Sequence, residues 1–402
     1  MSEEAPYCSL SDPSTDTWSP PPKGARACFL TCTSIFWFAH YTYVPILAPY
    51  AEHRGGSFEI IGLIVSAYGL AQLILRLPLG LLSDRLGRRK PFISLGFFAA
   101  GVAGLGLAMS PSPEWMVVAR FVSGISACAG VAFTVLYSTY YPPHQLVRAM
   151  GHIAVCNGLS IMSASFLGGI LADHLGWLAP FWGSALFGFA GTLLSLFLSE
   201  QPSAPERLSL RTSLTILKRP TLKWASIVAA LGIYTVFTAG FGFLPNFAIA
   251  LGATKTQLGI LSSITLLMGS IAGLNANRFA ARLLGPRKSI VIAYSIATLT
   301  IAIIPHTTSV YHLFLLQACT GFARGTAYPI LMSLVILDIP DRDKATAMGF
   351  FQAVYSIGMF LGPVVSGQIG GMLRYTALFT SSALVAAASV VAAFKLPKSL
   401  EG

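Results

Sequence analysis

Three arginines interrupt stretches of sequence that are otherwise almost free of charge: Arg76, Arg120 and Arg324. A guanidinium in hydrocarbon costs at least about 2.5–3.5 kcal/mol on insertion scales, so it belongs beside a cavity or a partner. Arg324 stands about thirteen residues into its stretch, which puts it near mid-depth. Arg76 lies two turns from the end of its stretch and reads as a side chain that snorkels to the interface. No acid lies equally deep; Glu59, Asp173 and Asp338 all sit near edges. A cavity holding Arg120 and Arg324 without a carboxylate is electropositive, and its chemistry is the binding of an anionic or zwitterionic organic solute. A proton carried along with that solute would need His40 or an edge acid such as Asp173.

Other chemistries find less support. Cys28 and Cys32 are one helical turn apart but have no His or acidic partner nearby, and read as small core residues. No metal-ligand pair shares a helix face, and no nucleophile is paired with a base. Gly55-Gly56 and Gly370-Gly371 lack the Gly-Lys-Ser/Thr of a nucleotide loop. The expectation is a protein that is not an enzyme, holds no metal and no cofactor, and draws on an ion or proton gradient.

The elements that must carry these residues are apolar helices. Of 402 residues, 54% are hydrophobic and 10% charged. Soluble domains carry roughly 25% charged residues, so a soluble surface could not be covered. Crossing the bilayer takes about 20 mostly apolar residues per helix. The spans are predicted at 27–50, 58–82, 91–110, 115–139, 147–171, 178–198, 224–249, 257–280, 289–305, 311–337, 347–370 and 376–394. Backbone polar groups in lipid must be satisfied within the segment, which makes these helices. The fold class is therefore an all-α membrane protein of twelve transmembrane helices.

Charge and repetition organise the twelve. Of the 26 Lys and Arg residues, 20 fall in loops or at span ends on the side of the two chain ends, three on the opposite side (Arg54, Lys255, Arg374) and three deeper inside spans. That bias places both termini in the cytoplasm, and it explains the formal charge of +11 better than a nucleic-acid partner does. Residues 1–26 are polar and proline-rich, without a signal peptide, and read as a disordered cytoplasmic tail. The longest internal polar stretch, 199–223, holds Pro202, Pro205 and five basic residues. It is a linker between six-helix bundles at 27–198 and 224–394, with a second cytoplasmic tail at 395–402. The bundles repeat at an offset of 197–198 residues: Arg148-Ala149-Met150-Gly151 matches Thr346-Ala347-Met348-Gly349, Gly62 matches Gly259, Gly169 matches Gly367, and Arg89-Lys90 matches Arg287-Lys288. Two six-helix repeats with a site between them at the midplane are an architecture of secondary transporters.

After span two comes Gly80-Leu-Leu-Ser-Asp84-Arg85-Leu-Gly87-Arg88-Arg89-Lys90. This resembles, at every specified position and in the expected loop, the Gly-x-x-x-Asp-Arg-x-Gly-Arg-Arg signature of the major facilitator superfamily. The resemblance covers the whole chain and implies two pseudo-symmetric bundles that alternate access. It implies a conformational switch at Gly80, Asp84, Arg85, Gly87, Arg88 and Arg89, with Asp84 facing the start of span eleven in the outward-open state. The second bundle departs from the pattern, since Arg282 stands where Asp84 is duplicated. The basic residue usual at the end of span four is replaced by Tyr140 and Tyr141.

Two weaker likenesses follow. Arg120-Phe-Val-Ser123-Gly124 resembles an Arg-x-x-Gln-Gly motif whose arginine takes part in proton transfer in coupled members. Span eleven carries Gly358, Gly362, Pro363 and Gly367, similar to a motif that exporters of the superfamily place on span five. It implies close helix packing and tilts the direction toward efflux. The central site is expected on spans one, four, seven and ten. Its candidates are His40, Tyr41, Tyr43, Arg120, Tyr234, Asn246, Gln317, Arg324 and Tyr328, with Tyr355 on span eleven further back. The implied partners are a small-molecule substrate and the lipid of the plasma membrane, with no nucleic acid and a monomeric chain. The alternatives are an uptake symporter or uniporter of a metabolite, and a non-transporting sensor with the same fold.

Overall fold

The computed structural model describes residues 20–200, 219–278, 284–337, 339 and 341–396, without the side chains of Asp84, Pro143, Val147, Asn277, Asp341–Asp343 and Ala345. Arg282 and most of the 199–223 stretch lie outside the described residues.

The chain runs back and forth as helices. The first bundle contains α1 (Ala25–Tyr41), α2 (Val44–His53), α3 (Phe58–Leu86), α4 (Lys90–Ala108), α5 (Pro113–Ala127), α6 (Gly130–Thr139), α7 (Leu146–Leu175) and α8 (Ala179–Ser195). The second contains α9 (Pro220–Thr235), a π-helical segment (Val236–Phe243), α10 (Leu244–Ala250), α11 (Lys255–Arg278), α12 (Pro286–Ile303), α13 (Val310–Leu337) and α14 (Asp341–Ala393). Among the described residues, nine helices are long and apolar enough to cross a membrane. One of them, Thr346–Ala393, is long enough for two spans and turns back at Arg374, where φ is +61°. α1 with α2, and the shorter α8, fill the remaining places, so the path is consistent with the expected twelve. Leu274, Phe197 and Met372 are each more than three-quarters exposed, a pattern that suits lipid and would be costly in water.

Apolar helices gain little hydrophobic driving force in lipid, so small residues must bring the backbones together. The two bundles meet along two such seams, α3 against α14 and α7 against α11. The duplicated glycines lie on both. A Cβ on Gly62 would strike the carbonyl of Pro363, and one on Gly367 would lie 2.7 Å from the Phe58 carbonyl. On the other seam, a Cβ on Gly169 would lie 2.6 Å from the Lys255 carbonyl, and one on Gly259 2.7 Å from that of Ser165. Gly62 thus faces Gly367 as Gly259 faces Gly169, and the repeat read in the sequence becomes a pair of matching contacts.

The seams are tight at one end only. We call the end that holds the Asp84 loop and both described chain ends the near side, and the other the far side. Going from the far side along the α7–α11 seam, the space beside the glycines opens from 2.6 Å at Gly169 to 3.4 Å at Gly158, and nothing lies within 4 Å at Gly151. Along the α3–α14 seam it opens from contact at Gly62, through 2.8 Å at Gly69, to nothing at Gly80; the nearest atom to Gly349 is 4.0 Å away. The bundles converge on the far side and part toward the near side. Gly80, one of the implied switch residues, stands clear of other helices. Gly87 makes a left-handed turn, φ +59°.

Candidate functional site

Two arginines border internal cavities, and they are held in opposite ways. Arg120, on α5, is 4% exposed. Its Nη1 donates to Tyr43 Oη at 2.8 Å and to Ser123 Oγ at 3.2 Å, and these two hydroxyls bond each other at 2.8 Å. Its guanidinium lies 4.4 Å from the centre of the Tyr68 ring, a cation–π contact. Tyr43 is buried against Phe181 and serves Arg120 as a hydrogen-bond partner.

Arg324, on α13, is only half-buried, and among the described residues it has no hydrogen-bond or ion-pair partner. It borders two cavities. One is walled by Tyr294, Tyr328 and Tyr355, with Gly232 and Thr320. The other is walled by Gln317, Thr265, Ser262 and Phe241. Tyr328 and Tyr355 have ring centres 5.4 Å apart, and Gln317 Oε1 accepts from Thr265 Oγ1 at 2.9 Å. An unpaired guanidinium among phenol hydroxyls and amides offers charge, donors and flat apolar faces to an anionic solute.

The π-helical segment borders these cavities and a third, smaller one. That third cavity lies between His40, Tyr41, Tyr68 and Arg120 of the first bundle and Phe237 and Phe241 of the second. Tyr68 stacks on Phe237 at 6.1 Å and Tyr41 meets Phe241 edge-on at 6.3 Å, so aromatic pairs bridge the bundles there. π-Bulges cost regular hydrogen bonding and are frequent at functional sites. Among the sequence candidates, His40, Tyr41, Arg120, Gln317, Arg324, Tyr328 and Tyr355 therefore line or border this central region. Tyr234 does not line these three cavities; its hydroxyl pairs with Ser366 Oγ at 3.3 Å, inside the second bundle. Asn246 belongs to the far-side closure, donating to the Ala48 carbonyl at 3.2 Å and to Glu52. Tyr68, Tyr294, Phe237 and Phe241 were not anticipated.

The far-side closure has a polar clasp. α11 begins with a capping box: Gln257 N–H donates to Thr254 Oγ1 at 3.2 Å, and Thr254 N–H to Gln257 Oε1 at 2.9 Å. Two further donors of that helix end, Lys255 N–H and Thr256 N–H, go to the Asp173 carboxylate of the first bundle at 3.1 and 2.7 Å. Lys255 Nζ donates to the Ala172 carbonyl at 3.1 Å and lies 4.2 Å from the Trp177 ring centre. At the repeat offset, Asp173 corresponds to Gly371, and there the acid comes from the facing helix instead, as the Glu59 carboxylate of α3 lies beside Gly371.

On the near side, the Asp84 loop is fastened within its own bundle. Glu200 accepts from the backbone N–H groups of Arg89 and Lys90, the free donors at the start of α4. Lys90 Nζ donates to the Leu196 carbonyl at 2.7 Å, and Arg89 Nη1 to Ser83 Oγ at 2.7 Å. The place of the missing cation after α6 is taken in space by Arg26. It donates to the Tyr140 carbonyl at 2.9 Å and lies 4.1 Å from the Tyr141 ring centre. On α14, Gly358 and Gly362 pack against α9 at Ala230 and Tyr234, while Pro363 and Gly367 face α3 of the other bundle.

Comparison with known proteins agrees with this architecture. The family model described as Major Facilitator Superfamily matches residues 29–250 and 241–401. The chain is 26% identical over 369 residues to an uncharacterised MFS-type transporter of Methanocaldococcus jannaschii, covering 87% of this chain and 94% of the relative. It is 23% identical over 372 residues to the multi-drug resistance efflux pump PmrA of Streptococcus pneumoniae, covering 88% and 93%. Its fold resembles that of a crystal structure of the nucleoside transporter NupG, with a TM-score of 0.78 at 17% identity, covering 92% of this chain and 98% of that one.

Proposed function

The chain belongs to the major facilitator superfamily, and from that premise we propose that it is a secondary active transporter of a small organic anion or zwitterion, working by alternating access across the plasma membrane. The family match and the apolar helices together make it a multi-pass membrane transporter. The finer reading rests on Arg324, a guanidinium without a partner among the described residues, bordering two cavities lined by the second bundle, one of which shares Phe241 with the cavity between the bundles. With the basic near side taken as cytoplasmic, the parted near side and closed far side correspond to an inward-facing state. Asp173 on the start of α11 is then the clasp of that state. Asp84 on the start of α14 is its counterpart in the outward-facing one. Likeness to efflux pumps favours export. Both cavity arginines and the lack of a deep acid favour an anionic cargo over the cationic drugs that a carboxylate-lined cavity would take.

The test is a thermal-shift screen of the purified protein against organic anions, cations and neutral metabolites. A ligand that binds only the folded state raises the melting temperature by mass action. Anions should stabilise the wild type and leave Arg324→Gln unchanged. Stabilisation of Arg324→Gln equal to that of the wild type would refute the anionic site.

A further inference from the structure

His40 is 2% exposed and packs under the Phe36 ring. Its Nδ1 lies 2.9 Å from the Phe36 carbonyl, which can only accept, so Nδ1 carries the hydrogen. In the neutral imidazole the lone pair is therefore on Nε2. That atom is buried and has no hydrogen-bond partner among the described residues, and neither has Arg120 Nε. Both residues border the small cavity closed on the other side by Phe237 and Phe241, which has room for about one water molecule. A tautomer fixed by the backbone thus presents a bare base to a cavity at the boundary of the bundles.

The charges around that base decide when it can be used. Tyr41 on its own helix, Tyr68 on α3 and Arg120 on α5 face the cavity, and the π-helical segment adds only phenylalanines. Arg120 borders the same cavity as His40, and the Ser123 backbone of α5 also lies near the imidazole. No carboxylate faces it among the described residues. A proton on Nε2 would place a second cation beside Arg120 in a medium of low dielectric, where such repulsion is strong. The neighbouring cavity, which shares the Phe241 ring, is bordered by the unpaired Arg324. An anion on Arg324 removes positive charge from this region and makes room for one more proton.

We propose that His40 is the proton site of the transporter, taking a proton from water onto Nε2 when an anion occupies the Arg324 cavity and returning it when the anion leaves. The proposal rests on the anionic reading of the preceding subsection. Binding of anion and proton is then mutually reinforcing, since linkage requires each to raise the affinity for the other by the same factor. Such a carrier moves acid and proton together, and the sum of the two gradients sets the direction. Export in this mode requires an excess of the acid in the cytoplasm.

The experiment uses the full-length protein in detergent and benzenesulfonate as the probe. A sulfonate does not itself accept a proton at neutral pH, so any proton taken up belongs to the protein. In weakly buffered solution with an indicator dye, saturating benzenesulfonate should draw up to about one proton per wild-type molecule. Its affinity should fall severalfold, and at most tenfold, per pH unit as the pH rises through the His40 titration. His40→Gln should take up no proton and should bind with an affinity independent of pH. Binding by the wild type without proton uptake, or uptake undiminished in a His40→Gln protein that melts like the wild type, overturns the proposal alone. A wild type that the probe does not stabilise overturns the anionic reading and this proposal with it.

Discussion

The far and near ends of the seams are built from the same four helices, α3, α7, α11 and α14, yet the glycines at the far end are in contact and those at the near end are not. At the far end Gly62 and Gly169 leave no room for a side chain, while Gly151 and Gly80 have nothing within 4 Å. Small residues are thus spread along the whole seam, and any one state uses only some of them. The duplicated Arg148–Gly151 and Thr346–Gly349 segments are the near-side counterparts of contacts already made on the far side. The proposed alternating access would explain their place in the sequence, through a closure of the near side.

The largest effect should come from blocking the closed end. The atoms nearest to a Cβ on Gly62 all belong to the opposite bundle, at Pro363 and Gly367, so Gly62→Val should hold the seam apart. Transport in proteoliposomes should fall by tenfold or more, on the order of the 1–3 kcal/mol that overpacking costs. Spin labels at Leu175→Cys and Tyr311→Cys should move apart on the far side. Unchanged distances with normal transport would remove the seam from the mechanism.

Next comes the clasp. Asp173→Asn keeps the shape and removes the charge from two helix-end donors. Losing a charged cap costs about 1 kcal/mol at an exposed site, so far-side-open molecules should increase about fivefold in the same spin-label measurement. Asp84→Asn should act in the opposite sense and more weakly, about two- to fivefold toward the near-side-open state, with transport reduced and the protein still folded in the membrane. Labels at His144→Cys and Leu337→Cys read that end. A shift of the same sign in both variants would break the proposed pairing of clasps. The smallest effect belongs to Gly151→Leu. With no neighbour to meet, it should change the melting free energy by no more than about 0.5 kcal/mol, while slowing transport by obstructing the closure that has yet to form.

Much of this was legible in the sequence because it depends on period and charge. Apolar blocks located the helices, and the offset of Gly62 to Gly259 and Gly169 to Gly367 marked a repeat whose glycines the fold pairs across the seams. Arg324 was visible because a deep charge needs a reason. Other parts depend on tertiary contacts with no local mark. Tyr68 and Tyr294 look like any tyrosine in a span, and only packing turns them toward the arginines. Asn246 was expected at the centre, but it lies beyond the π-helical segment, in α10, and closes the far side. The segment itself had a faint signal in Gly240-Phe241-Gly242, two glycines where helix propensity is wanted. Glu200 and Arg26 act on loops more than a hundred residues away, and nothing in their neighbourhoods announces it.

The capping box at Thr254 and Gln257 bears on how readily the carrier turns over. Because the box secures the start of α11 by itself, withdrawing Asp173 need not fray that helix. The two released N–H groups and the carboxylate pass to water, which solvates all three well. Opening the clasp is therefore an exchange of partners that costs only about 1 kcal/mol. A carrier that must pass through both states in every cycle is throttled by whichever state is the deeper well. Fastening the far side with an exposed, replaceable bond keeps that well shallow.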